Sequence, residues 1–114
     1  VRCATDITGF GLAGHLFNVA RASGVTIEID ARALPALPGV EGLVERGFVT
    51  GGSAKNRAFV DPIDLPASLP NWLVQLIFDP QSSGGLALFS SEPVGDYPAI
   101  GRVIEGSASI RVKA

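Results

Sequence analysis

From Gly11 to Ser23 the apolar residues Leu12, Leu16, Val19 and Ala20 recur at the three- and four-residue spacing of a helix face. Phe17 widens the stripe and Gly24 follows as a stop signal, so the pattern predicts a helix over 11–23. The period then shortens. Val25 to Asp30 reads VTIEID, an alternation rich in β-branched residues that predicts a strand with one buried and one wet face. Pro35 and Pro38 make Ala31 to Gly39 an ordered loop, and Val40 to Arg46 a short helix ending at Gly47. Thr50 to Asn56 reads TGGSAKN, where paired glycines and small polar residues build a tight turn or offer backbone N–H groups to an anion. Pro62, Pro66 and Pro70 keep the following segment irregular. Trp72 to Phe78 is apolar apart from Gln75 and could be a helical turn or a strand, its length not deciding between them. Asp79 to Gly85, DPQSSGG, reads as a turn-rich loop leading into a short buried strand over Leu86 to Ser90. Ile100 to Ile104 and Ser109 to Val112, separated by Glu105 to Ala108, read as a hairpin.

Irregular alternation of helices and strands, with one tight strand connection, points to an α+β domain: a mixed or antiparallel sheet with helices packed on it. At 114 residues one core is expected, and folding should bury roughly 65% of the unfolded chain's surface. The 46% hydrophobic residues run along the whole length, with neither a repeat nor a low-complexity stretch. The net charge of -2 and the scattering of nine basic residues exclude a broad nucleic-acid footprint. Apolar runs such as Leu86 to Phe89 fall far short of the roughly 20 residues that span a bilayer. One cysteine and one histidine allow neither an internal disulfide nor a zinc-ligand pattern, and a cytoplasmic setting fits. Cys3, leading into an apolar motif, reads as an inert core thiol. The opening on Val1 and the absence of methionine read as a chain cut from a longer one.

The densest chemistry is Ala4 to His15, ATDITGFGLAGH, in which an acid and two threonines precede a glycine-rich entry to the first helix. Glycines let backbone approach a ligand closely, and a helix start presents N–H groups and a dipole that favour phosphate or carboxylate. Asp6 offers a hard oxygen of the kind that shares Mg²⁺ with phosphate oxygens, yet Asp6 or Thr8 ahead of a helix also suits an N-cap. His15 has no nucleophile beside it in the sequence and reads as a packed or solvated residue. Asp79 and the pairs Gly51-Gly52 and Gly84-Gly85 fit turn chemistry as well as a ligand site.

The run ATDITGFGLAGH resembles the motif heading the C-terminal domain of the selenophosphate synthetases (selenide, water dikinases). TGFG with the following GH separates it from sister families. VARASGVTIEID with ALPALPGVEGL, then GGSAKN, then DPQSSGGL, follow in that family's order, and IGRVIEGSASIRV closes the chain as the family does. The resemblance implies the α+β C-terminal domain of the aminoimidazole ribonucleotide synthetase superfamily. It implies a parent enzyme making selenophosphate, AMP and phosphate from ATP, selenide and water, with selenophosphate feeding selenocysteine synthesis. Asp6 would join carboxylates of a separate N-terminal ATP-binding domain in holding Mg²⁺ at the ATP phosphates. Thr5, Thr8, Gly9, Gly11, Gly51, Gly52 and Asn56 are the candidates for contact with the nucleotide. No residue here is a candidate catalyst, so 1–114 is expected to be a single domain inactive on its own, with its parent a homodimer.

Two departures from the family pattern stand out. The family usually carries threonine at Ser83 or its neighbour, giving DPQTSGG; this chain has Ser82, which keeps a hydroxyl. Between Leu88 and Ile100 the family inserts an amphipathic helix, whereas Ser91 to Ala99, with Pro93, Gly95 and Pro98, is too short to form one. A missing helix would leave one sheet face less covered. The alternatives are another member of the superfamily, such as an aminoimidazole ribonucleotide synthetase or a hydrogenase-maturation relative, and a non-catalytic binding module of the same fold.

Overall fold

The computed structural model describes residues 1–82 and 84–114. Strand β1 (Cys3–Asp6) leads into α1 (Gly11–Ser23), β2 (Thr26–Asp30), a 3-10 turn (Ala31–Ala33) and α2 (Val40–Glu45). Then follow α3 (Gly52–Phe59), β3 (Ile63–Asp64), α4 (Asn71–Phe78), β4 (Leu86–Phe89), β5 (Gly101–Ile104) and β6 (Ser109–Lys113). The predicted stop of α1 holds: Gly24 takes φ 64°, and its N–H closes on the carbonyl oxygen of Ala20.

The strands form two sheets, a β1-β4 antiparallel pair and a four-stranded sheet in the order β3-β6-β2-β5. In the larger sheet β2 runs parallel to β6 and antiparallel to β5, which gives the mixed α+β architecture expected. The hairpin is not there. Instead of pairing with each other, β5 and β6 take opposite edges of β2, so that Ile27 lies between Val103 and Ile110. A strand with Ile27 and Ile29 buried gains most when both its edges are hydrogen-bonded. The connection therefore has to cross two inter-strand spacings, about 9.6 Å. Thr26 holds that crossing in place, its hydroxyl donating to the carbonyl oxygen of Ser107 at 2.7 Å.

The core gathers Leu16, Phe17 and Ala20 of α1, Leu73, Ile77 and Phe78 of α4, and Ile27, Ile29, Ile110 and Val112 of the larger sheet. On the other face Glu28 lies between Arg102 at 3.0 Å and Arg111 at 3.9 Å, its register partners on the two flanking strands.

Three further expectations are corrected. TGGSAKN is not a tight turn but the start of a helix: Gly51 has helical angles (φ -66°, ψ -23°) and α3 runs on through Ala54, Lys55, Arg57 and Ala58, good helix formers. The β4 strand is only partly buried, with Ala87 enclosed but Leu86 51% exposed. Cys3 is exposed, because β1 is paired on one edge only and its burial is slight along its length. The ambiguous Trp72 to Phe78 segment is helical, its first turn closing on Pro70, whose carbonyl oxygen accepts from Leu73 and Val74. The proline-rich stretch is irregular apart from β3, which pairs with β6. Among the described residues no helix is long and apolar enough to cross a membrane.

Candidate functional site

The loop Ile7 to Phe10 joins β1 to α1, and the other glycine-bearing blocks of the sequence are fastened to it. The Ile7 N–H donates to Gly85, and the Thr8 carbonyl oxygen accepts from both Gly11 and Gln81. Asn56, buried in α3, donates from its side-chain amide to the carbonyl oxygens of Gly9 at 2.9 Å and Phe78 at 2.8 Å. Thr50 donates to the Asp79 carboxylate at 3.4 Å, and Gln81 reaches the same carboxylate at 3.4 Å. TDITGFG, GGSAKN and DPQSSGG, distant in sequence, thus meet around one turn of backbone. Ser83 lies outside the described residues.

Close packing dictates the small residues. Gly11 has φ +75°, and a Cβ there would sit 2.9 Å from the carbonyl of Phe78. At Gly52 a Cβ would meet the Pro80 ring at 2.8 Å.

Neither Asp6 nor Thr8 caps the helix. Phe10 is the N-cap of α1 and supplies no side-chain bond, so the capping alternative is overturned. Thr8 is engaged by His15 instead: the Thr8 N–H donates to His15 Nε2 at 3.0 Å, and its hydroxyl lies 2.9 Å from the same nitrogen. Phe10 stands edge-on to the His15 ring at 5.5 Å and stacks on Phe59 at 5.5 Å. Histidine seven residues past threonine gave no sequence signal, because it is the fold of the loop over the first turns of α1 that closes this contact.

Thr8, Gly9, Gly52 and Asn56 share the lining of a cleft of about 350 Å³, together with Phe10, Phe59 and Lys55. Lys55 is its one charged lining residue, a cation that sequence reasoning passed over inside GGSAKN although a lysine in a glycine-rich block was the available signal. Thr5, Asp6, Gly11 and Gly51 stand outside that lining. Gly11 shapes the loop, and its N–H is already bonded to Thr8. Asp6 is exposed at the end of β1, two residues before the cleft begins. Among the described residues no three His, Cys, Asp or Glu side chains gather closely enough to hold a metal. Asp6 therefore fits Mg²⁺ as one contributed oxygen in a site completed from elsewhere, since the ion takes near-octahedral oxygen ligation that phosphates and waters help to fill.

A family model described as AIR synthase related protein, C-terminal domain, matches residues 1–113. The chain belongs to this family. Among curated members and relatives, the selenide, water dikinase of Paraburkholderia xenovorans is 41% identical in an alignment 126 residues long, covering 98% of this chain and 36% of the relative. That of Nitratidesulfovibrio vulgaris is 46% identical over 89 residues, covering 77% of this chain and 25% of the relative. That of Escherichia coli O9:H4 is 43% identical over 88 residues, again covering 77% and 25%. The resemblance carried by TGFG and GH is borne out, and the chain spans only a quarter to a third of these relatives' length.

Proposed function

We propose that this chain is the C-terminal domain of an ATP-dependent phosphotransferase that makes selenophosphate, AMP and phosphate from selenide, ATP and water. An N-terminal ATP-binding domain supplies the rest of the site, the longer protein works as a cytoplasmic homodimer, and the domain alone does not turn over. The observation that carries the reading is the exposed carboxylate of Asp6 at the head of a glycine loop that Asn56, Gln81 and His15 hold from three sides. The names of the relatives favour the selenium enzyme over the sister members of the superfamily.

Phosphoryl transfer depends on positioning and on offsetting the charge of the phosphates. Mg²⁺, when bound, supplies that offset. Asp6 contributes one oxygen toward it from the end of β1, a place fixed by the pairing of Asp6 with Leu86. Thr8 and Gly9 present the loop to the polyphosphate, Gly52 lets α3 approach, and Lys55 adds a cation at the cleft. Gly11 and Asn56 act one step back, by holding the loop in shape. Thr5 and Gly51 flank it.

The test is a chimera in which this chain replaces the matching C-terminal part of the P. xenovorans relative. It is expected to form AMP from ATP only when selenide and Mg²⁺ are present. A folded chimera that makes no AMP would overturn the reading.

A further inference from the structure

The backbone of the glycine loop is held at one point by a group that can take up a proton. The Ile7 N–H bonds to Gly85, the Thr8 carbonyl oxygen accepts from Gly11 and Gln81, and the Gly9 carbonyl oxygen accepts from Asn56, so each of these bonds ends on a backbone group or an amide. The Thr8 N–H ends instead on an imidazole, His15 Nε2, at 3.0 Å. Thr8 and Gly9 are exposed, so hydrogen bonds rather than burial fix this part of the loop.

The geometry decides which form of the ring is present. An amide hydrogen lies in the peptide plane and cannot turn away, so the nitrogen it meets must offer a lone pair. His15 is then neutral, with its hydrogen on Nδ1, which makes no protein hydrogen bond among the described residues. The lone pair of Nε2 is taken by the amide, and the Thr8 hydroxyl, 2.9 Å from the same nitrogen, keeps its hydrogen free to turn toward the cleft that Thr8 lines. A charged ring would carry a hydrogen on Nε2 as well. It would then face the Thr8 N–H donor to donor, and the bond would be lost. No carboxylate of the described residues lies within 4.0 Å of the ring. The charged groups on the elements packed against α1 are Lys55 and Arg57 of α3, Asp6 of β1 and Asp79 just after α4, with Arg21 on α1 itself, and those of β2 and β6 lie on the far face of their sheet.

We propose that His15 is a positioning residue for the glycine loop: its neutral ring holds the Thr8 backbone in the shape that presents Thr8 and Gly9 to the cleft, and protonation of the ring releases it. His15 touches the loop and acts on the cleft through Thr8. The inference rests on the reading above for what the loop serves, a chain of phosphates, whereas the clamp itself is independent of that reading.

The experiment records ring-nitrogen and backbone-amide spectra of this chain, of His15→Gln and of His15→Ala between about pH 8 and pH 5, the range in which histidine changes charge. At the upper end a bare Nε2 and a protonated Nδ1 are expected, and on acidification the Thr8 and Gly9 amides should move with the same midpoint as the ring. The glutamine side-chain oxygen can accept from the Thr8 N–H and does not titrate, so His15→Gln should hold the Thr8 amide at its high-pH position throughout. His15→Ala should leave it at the released position throughout. A ring with its hydrogen on Nε2, a Thr8 amide that does not follow the ring, or a glutamine form that behaves as the released one overturns the proposal, and wild type with His15→Gln decides it even where His15→Ala does not fold. In the chimera, His15→Ala should raise the KM for ATP by about threefold or more, the change that loss of one net hydrogen bond gives, and His15→Gln should restore it. An unchanged KM in both variants overturns the positioning role. The spectra need no turnover, so a chimera without activity counts against the proposed function while the spectra still judge the clamp.

Discussion

The Asn56 side chain donates to the carbonyl oxygen of Gly9 at 2.9 Å across 47 residues of sequence. With its second bond, to Phe78, it ties α3, α4 and the glycine loop at one point in the buried part of the molecule. Removing the amide leaves a buried carbonyl without a donor, which costs about 1–3 kcal/mol. Asn56→Ala should accordingly lower the urea midpoint with an unchanged m-value, and Asn56→Asp, which turns acceptors toward two carbonyl oxygens, should lower it at least as far. An unaltered midpoint in both would show that the clamp is idle.

Two glycines in neighbouring motifs should respond in opposite ways. Gly11→Ala forces a Cβ against Phe78 at a positive φ, and a loss on the order of 1–3 kcal/mol is expected. Gly51 has helical angles and open space around it, so Gly51→Ala should be neutral or stabilising by up to about 1 kcal/mol. Thermal unfolding of the pair checks both signs.

The crossing from β5 to β6 rests on Thr26. Thr26→Val removes the bond to Ser107 and should cost about 1 kcal/mol. Faster amide exchange confined to β5, β6 and residues 105–108, beyond the change in the rest of the sheet, is the expected signature in hydrogen-exchange measurements.

Much of this fold was legible because local signals and tertiary packing agree. The α1 stripe with its glycine stop marks a face that the structure buries, VTIEID is the expected strand with Ile27 and Ile29 inward although Thr26 on its other face is also buried, and 40–45 is helical as expected but buries no residue. The hairpin misled because a four-residue spacer fits a turn as well as a crossing, and only β2, far upstream, decides between them. TGGSAKN misled because paired glycines suggest a turn, whereas here Gly52 is small to let α3 lie against Pro80. At the site, Asp6, Thr8 and Gly9 stood out as a motif. His15 stood in the same motif but was read as packed or solvated, and Lys55 was passed over, since the bond to Thr8 comes from the loop fold and the cleft forms with other segments. The shortness of 91–99 was legible in the sequence, whereas the half-exposed Val103 on the face that carries Ile27 needed the register.

Lys55 is exposed and should contribute modestly. In the chimera, Lys55→Ala is expected to raise the KM for ATP by up to about fivefold, in line with 0.2–1 kcal/mol for an exposed charge contact, while kcat stays near its starting value. Lys55→Glu should raise it further. Steady-state kinetics with ATP varied at saturating Mg²⁺ and selenide separates the two parameters, and an unchanged KM in both variants would remove Lys55 from the site.

The account rests most heavily on Asp6. The direct measurement is selenide-dependent AMP formation by the chimera carrying Asp6→Asn beside the unsubstituted chimera, with unfolding curves recorded on both. The account predicts two folded proteins of equal stability, of which the asparagine form loses turnover by at least a hundredfold, about 2.7 kcal/mol, and regains part of it at raised Mg²⁺. Equal rates in the two proteins would contradict it and leave Asp6 as an exposed strand-end residue without a part in the chemistry.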